Sequence, residues 1–328
     1  MASINRTVYP QLAEPKDNAE WRARYDLADD EVWLAKRQVR GGKRTLAFLL
    51  LLKTFQNVGY FVDIDAIPQR ISDYIRNQLL EYFPTQDPPI IEPARLSKPT
   101  LYEYRVAIRQ YRGVTAFGDS AREGLSAELT QAAQTMNSTA DLINVEVEWL
   151  IKERWELPAF STLDRLAGHI KQTVNDALFE RVYGAMTGEQ KAICRQMLRQ
   201  PNDGGGAEWT RLKTLPSNPT PGHMQELNEH FQWLMTLGDI KKTLASVPAA
   251  KIMHFASEAL SLPPSELGSG GMRMTKRYTF VLCAIHRARV ETRDAPKGPS
   301  ALGDILRKRV AMKVARMGHD RRRARRPQ

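Results

Sequence analysis

Two groups of basic side chains have the residue types and the spacing to bind phosphate. The first group places five cations within nine residues, on both sides of a Gly-Gly pair: Lys36, Arg37, Arg40, Lys43 and Arg44. The second group recurs at intervals of three and four, after an aromatic residue, and consists of Tyr102, Arg105, Arg109 and Arg112. Phosphates are the expected targets, because arginine and lysine on any helix reach the DNA backbone whereas base readout requires entry into a groove. From its own segment alone, the second group is favoured as a solvated face that keeps a surface helix soluble, with phosphate contact as the alternative.

The elements that hold these cations are predicted to be helices. Around the second group, Thr100 and Glu103 have the spacing of a capping box, and Pro99 blocks a helix arriving from upstream. The arginines then fall about 90° round the helix from an apolar face. That face consists of Leu101, Tyr104, Ile108 and Tyr111. Around the first group, two helices joined by a short glycine turn are compatible with helix-turn-helix geometry, although many helical hairpins share this pattern.

Residues suited to metal or nucleophilic chemistry do not assemble into a recognisable site. The two cysteines lack a ligand spacing, which fits a reducing cytosol, and His223 and His230 have no third ligand nearby. Glu146 and Glu153 lie one heptad apart and are expected on a solvated helix face. We therefore predict no catalytic residue, no metal site and no cofactor.

Composition indicates a folded chain whose positive charge is unevenly placed. The 328 residues are 42% hydrophobic and carry a formal net charge of +11. Residues 301–328 hold ten Lys or Arg and two Asp, a net charge of +8, so the preceding 300 residues hold only +3. The longest apolar run is seven residues and the N-terminus lacks an apolar signal core, so we expect a cytoplasmic protein without a membrane span.

The periodicity predicts an all-α fold. A helix from Lys43 to about Asn57 is apolar nearly all round and is expected to be core. Five prolines between positions 84 and 99 mark the first boundary. We predict two helical modules over residues 1–90 and 97–158, a further helical region over 161–310 and a basic disordered tail over 311–328.

The order of three phrases resembles the N-terminal region of the TnpA-type transposases of the Tn-three family. They read DDEVWLAKRQVRGGKRTLAFLLLLKTFQNVGYF, TLYEYRVAIRQYRGV and ADLINVEVEWLIKERWELPAFSTLDRLA, of which the ELPAFSTLDRLA core is the most specific. The later pieces WTRLKTLPSNPT, KIMHFASEAL and TKRYTFVLCAIHR continue the similarity, which covers about Leu27 to Leu306. From Ala311 the sequence MKVARMGHDRRRARRPQ departs from the family pattern.

The resemblance implies a region of a replicative transposase that binds terminal inverted repeats in double-stranded DNA. It implies a multi-part helical array with helix-turn-helix-like DNA-binding modules over residues 1–90 and 97–158, followed by a helical linker or dimerisation region over 161–310. It also implies that the acidic metal-binding triad for DNA cutting lies beyond this chain, since no residue here matches it, so we expect no enzyme activity and a truncated or remnant transposase. DNA contact becomes the favoured role for both basic groups. The alternative is a protein-interaction fragment that binds DNA weakly and contributes to a homodimer or to dimers with a transposase.

Overall fold

A computed structural model describes residues 2–82, 93–199, 208–213, 221–268 and 271–294. The chain forms two compact units, Met1–Gln172 and Thr173–Gln328, and the boundary between them falls within a single long helix. The all-α prediction is confirmed, because the described residues contain helices and one isolated parallel bridge between Thr115 and Trp155 but no strand. Among these residues, no helix combines the length and apolarity that a bilayer span requires.

The first unit contains seven helices and the start of an eighth within its described residues, with two short 3-10 turns. Their bounds are α1 Asn18–Tyr25, α2 Asp29–Gln38, α3 Gly42–Val58, α4 Gln69–Tyr82, α5 Lys98–Arg112, α6 Asp119–Ala132, α7 Thr139–Lys152 and α8 Phe160–Ala185. In the second unit α8 continues and is followed by α9 Gly188–Leu198, α10 Glu208–Lys213, α11 Pro221–Thr236, α12 Lys241–Leu244, α13 Ala249–Ser261, α14 Pro264–Gly268 and α15 Met274–Asp294.

Helix α3 is the centre of the first unit's core. Every residue from 45 to 55 is buried, as the apolar run predicted. Around α3 pack α1, α2, α4 and α5, and Phe48 meets Tyr104 of α5 edge-on at 5.3 Å between ring centroids. Gly59 ends α3 in the left-handed region at φ 75°, where glycine carries no steric penalty. The core therefore forms around one buried helix, and only the two ends of α3 reach the surface.

The helix starts follow local capping chemistry, with one correction. Ser97 caps α5, its side chain accepting from the N–H of Thr100, so Pro99 lies inside the first turn. The predicted capping box of Thr100 and Glu103 is thus wrong by three residues, because the first turn lacks interior hydrogen bonds and tolerates proline. Ser138 caps α7 as the sequence predicts, accepting from Asp141 N–H.

The second unit has its own core between α8, α13 and α15. Phe179, Phe255 and Phe280 form a ring cluster with centroids 5.1 to 5.9 Å apart. Trp209 of α10 is fully buried and its indole N–H donates to the carbonyl of Leu262. Residues 83–92 of the predicted proline-rich boundary and the basic tail at 311–328 lie outside the described residues, so these two predictions stay open.

Candidate nucleic-acid interface

The five cations around the Gly-Gly pair all lie on the surface where α2 ends and α3 begins; we call them the turn cluster. They are Lys36, Arg37, Arg40, Lys43 and Arg44, and each is exposed. Val39 is buried and anchors the turn, while Gly41 takes φ 89°, which a side chain would strain. The turn therefore brings the last turn of α2 and the first turn of α3 to one side of the unit.

The start of α3 adds to the positive electrostatic potential that the five cations create at this site. Its first turn carries no acidic residue, and no side chain caps it because Gly41 occupies the N-cap. The N-terminal end of a helix carries about half a unit of positive charge and unsatisfied N–H groups, which favour anions. Lys43 and Arg44 add full positive charges at the N-terminal end of α3, where cations are least favourable for the helix. An anionic partner would relieve this repulsion.

The burial of α3 decides how this turn can meet DNA. In a helix-turn-helix motif the second helix enters the major groove and its side chains contact base edges. Residues 45–55 of α3 are buried, so α3 has no free face to place in a groove. What the hairpin presents is its turn and the first turn of α3, an arrangement suited to phosphate contact. Whether other helices of the chain form a helix-turn-helix module stays a prediction.

Trp33 is part of this surface, and it was not predicted from the sequence. Its side chain is 60% exposed, and the Arg37 guanidinium lies 5.0 Å from the ring centroid. Trp33, Lys36 and Arg37 have i, i+3, i+4 spacing, so they share one face of α2. That spacing is the sequence signal that could have identified it. An exposed indole stacked on a guanidinium is a rigid surface for sugar or base contact.

The arginines of α5 have three different environments. Arg109 is largely buried and its Nη1 lies 2.8 Å from Oε2 of Glu156. Arg105 lies with its guanidinium 5.2 Å from the ring centroid of Phe61, and its buried Nε has no hydrogen-bond partner among the described residues. Arg112 is fully at the surface. The predicted stripe therefore offers one freely accessible cation to a phosphate.

Tyr102, the aromatic candidate on α5, is 67% exposed. It lies in the helix that also supplies Tyr104 to the core, on a different face. Tyr111, expected to pack, is 37% exposed and donates its hydroxyl hydrogen to Asp30 of α2 at 2.6 Å. Burial, and secondarily this bond to Asp30, raises the pKa of Tyr111 to about 12.

The groups considered for metal or acid-base chemistry do not meet. Among the described residues no three His, Cys, Asp or Glu side chains are placed to hold a metal ion. The His223 side chain lies outside the described residues, and His230 is buried, which together with Arg211 lowers its pKa. Cys194 and Cys283 are free, buried thiols whose pKa is raised by desolvation.

The expectation for the two heptad-spaced glutamates is half wrong. Glu153 is exposed, but Glu146 is completely buried, and neither of its carboxylate oxygens has a hydrogen-bond partner in the described part of the chain. Desolvation, and secondarily the charge of Asp164, raises the pKa of Glu146 to about 9. The side chain is therefore neutral at physiological pH.

Comparison with known proteins defines the class to which this helical chain belongs. Residues 1–170 match the family described as "Domain of unknown function (DUF4158)", and the chain belongs to that family. The matched region covers the turn cluster, α5 and Glu156.

The curated relatives are transposases of the Tn-three, TnpA-like type, as the sequence resemblance predicted. The chain is 26% identical over 284 residues to "Transposase for transposon Tn501" of Pseudomonas aeruginosa, covering 84% of this chain and 27% of that protein. It is 24% identical over 250 residues to "Transposase for transposon gamma-delta" of Escherichia coli K12, covering 75% of this chain and 24% of that protein. The chain thus spans about a quarter of the length of the curated relatives it matches.

Proposed function

We propose that this chain is a DNA-binding region of a transposase that contacts the terminal inverted repeats of its element. The observation that carries the proposal is the turn cluster, five exposed cations gathered at an uncapped helix start. In the described residues, Arg40, Lys43 and Arg44 form no ion pair, so their charge is available to a partner. The names of the relatives support a role in transposition.

The mechanism that we propose is anchoring by phosphates with a contribution from aromatic contact. Each phosphate that Lys or Arg neutralises releases condensed counterions, which makes affinity depend steeply on salt. The turn cluster supplies the charges, the first N–H groups of α3 supply donors, and Trp33 stacked with Arg37 supplies a flat apolar face. Phosphate contacts of this kind fix position and orientation, whereas sequence preference requires base or shape readout elsewhere on the surface.

A salt titration of DNA binding tests this proposal. The full chain is titrated with a labelled duplex, and the slope of log affinity against log salt is compared between the parent and an Arg40→Ala/Arg44→Ala variant. Two lost phosphate contacts should flatten the slope by about 1.8. The control is Arg24→Ala/Arg70→Ala, which removes two exposed arginines paired with Glu20 and Glu14.

The measured slopes distinguish the proposed DNA-binding region from the alternative, a protein-interaction fragment. An unchanged slope in a folded turn-cluster variant, or a control that changes the slope equally, would contradict the proposal. Self-association of the chain without measurable duplex binding would favour the protein-interaction alternative. Preference for particular ends is read separately, by selection from a random duplex library. Nicking of duplex DNA above a buffer control in the presence of magnesium would contradict the expectation from the sequence that this chain has no enzyme activity.

A further inference from the structure

A groove of about 410 Å³ opens at the end of α3 opposite the turn cluster. It lies between the last residues of α3, the end of α5 and the segment that follows α7. Its volume is within the range of about 300–1,000 Å³ that small-ligand pockets occupy. We call it the α3-end groove. Arg112 is the α5 candidate residue that lines it, and the sequence did not single out its other residues.

Three cations surround the α3-end groove: Arg112, Lys152 and Arg154. All three are exposed, and the side chain of Lys152 is 80% exposed. The nearby carboxylates do little to neutralise them. Glu156 is paired with Arg109, and Glu153 lies 4.0 Å from Lys152 at the surface, where such a pair contributes little. The groove therefore favours an anionic ligand.

The walls of the groove are apolar and partly aromatic. Ile151 is 60% exposed and Trp155 is half-buried, and both line the groove with Val114. A flat indole beside exposed aliphatic carbon can hold a planar ring by stacking, which is tolerant of base identity. Cations around an apolar slot of this size match a ligand that is both planar and multiply charged.

The backbone of this groove is held in a strained conformation. Arg154 takes φ 57°, the left-handed region that non-glycine residues rarely occupy. Its carbonyl accepts from Thr115 N–H at 2.9 Å, and the Thr115 carbonyl accepts from Glu156 N–H at 2.8 Å. Leu157 N–H donates to the Gly59 carbonyl at 2.9 Å. These bonds fix the backbone that carries Arg154 beside the groove, at a cost in local strain, a pattern found at binding sites.

We infer that the α3-end groove binds one unstacked nucleotide of a DNA strand. The base packs against Trp155 and Ile151, and the phosphates on either side of it pair with Arg112, Lys152 and Arg154. The identity of the strand as DNA rests on the proposed function. Two arginines suit this role because a guanidinium matches a phosphate with two parallel hydrogen bonds. The paired part of the duplex is held elsewhere, by the turn cluster.

An acidic peptide is the competing ligand, and the backbone argues against it. Extended peptides that bind by adding a strand do so through main-chain hydrogen bonds to a free edge. Along the groove the N–H groups of Trp155, Glu156 and Leu157 already donate to the carbonyls of Leu150, Thr115 and Gly59. The groove therefore offers side-chain cations and apolar walls, but these three positions offer no backbone donor to a peptide.

The test compares two labelled duplexes of equal length, one fully paired and one carrying a single bulged adenine. The parent chain should bind the bulged duplex about fivefold or more tightly than the paired one. Arg154→Gly should remove this preference while remaining folded, because glycine accepts φ 57° without strain. Arg112→Ala/Lys152→Ala should also remove it. An Arg70→Ala control should keep it.

The outcomes separate this inference from the proposed function. If the parent binds both duplexes with equal affinity, or binds neither, the inference is overturned. Only the absence of binding to both duplexes also overturns the proposed function. A preference that survives Arg154→Gly places the nucleotide elsewhere and overturns the inference. Displacement of the bulged duplex by an acidic aromatic peptide, but not by deoxyadenosine monophosphate at the same concentration, would show a protein partner and overturn it too.

Discussion

Arg109 and Glu156 form an ion pair across the first unit, with Nη1 2.8 Å from Oε2, and both side chains are largely buried. The pair ties α5 to the segment after α7, 47 residues further along the chain. It also explains why the arginine stripe of α5 is not a uniform DNA-binding face. The carboxylate of Glu156 already occupies the guanidinium that the helical pattern assigned to phosphate.

The first prediction separates Arg109 from Arg112. Arg112→Ala should lower the salt slope of binding to the bulged duplex by about 0.9 and leave stability within about 0.5 kcal/mol, because the residue is exposed. Arg109→Ala should instead cost about 1–3 kcal/mol, because Glu156 loses its partner in a poorly solvated site. Salt titrations and urea unfolding of both variants measure these effects. Equal slope changes would restore the three-arginine stripe.

The second prediction concerns the buried ion pair of Glu31 and Lys53. Their charged atoms are 2.6 Å apart, with 5% and 7% of the side chains exposed. Glu31 also accepts from Gln56 and from the N–H of Ala28. Glu31→Ala should destabilise the chain by about 3–5 kcal/mol, because it leaves the Lys53 charge buried without its partner. Urea unfolding followed by circular dichroism measures the loss.

A double change provides the control for this pair. Glu31→Leu/Lys53→Met removes both charges and keeps apolar volume, so it should recover most of the lost stability. A single Glu31→Ala loss below about 1 kcal/mol would mean that water reaches Lys53 and that the pair is not structurally required.

The third prediction is a pH dependence of stability from Glu146. Its pKa is raised to about 9 in the folded chain, so between the ordinary carboxyl pKa and that value the folded state holds a proton that the unfolded state loses. Stability should therefore fall as pH rises through this window, by roughly 1.4 kcal/mol per pH unit from this group. Glu146→Gln, which cannot ionise, should be more stable than the parent at pH 8 and similar to it at pH 4. Parallel Tm values across pH for the two proteins would contradict the assignment.

The fourth prediction uses two glycines in helices of the first unit. A Cβ at Gly124 in α6 would lie 2.8 Å from ring atoms of Trp149 in α7, whereas nothing lies within 4 Å of one at Gly168 in α8. Gly168→Ala should stabilise by up to about 1 kcal/mol through helix propensity. Gly124→Ala should destabilise by about 1–3 kcal/mol, because the indole must move. Similar gains in Tm from both substitutions would show that the Trp149 side chain moves aside without a loss of stability.

The parts of the fold that sequence predicts well are those set by local chemistry. The burial of α3 follows from its continuous apolar run, and the start of α7 follows from the hydroxyl of Ser138. The start of α5 was misplaced because two hydroxyl residues three apart, Ser97 and Thr100, both satisfy the capping pattern. Only the backbone geometry shows which one lies outside the helix.

The candidate site was less predictable because it depends on contacts between distant residues. The exposure of the turn cluster follows from its local sequence. The burial of Arg109 depends on Glu156, and the burial of Glu146 depends on the packing of α7, neither of which periodicity reveals. The α3-end groove joins residues from four separate segments, so only the folded chain brings Arg112, Lys152 and Arg154 together.

The length of α3 fixes the spacing between the turn cluster and the α3-end groove. Seventeen residues of helix span about 25 Å, close to seven base-pair steps of 3.4 Å. Inserting one residue would lengthen α3 by about 1.5 Å and rotate everything beyond it by about 100°, which turns buried leucines toward solvent. The core therefore permits one length of α3. Under the proposed function and the inferred nucleotide site, a duplex bound at both places presents its paired and unpaired parts at that one separation.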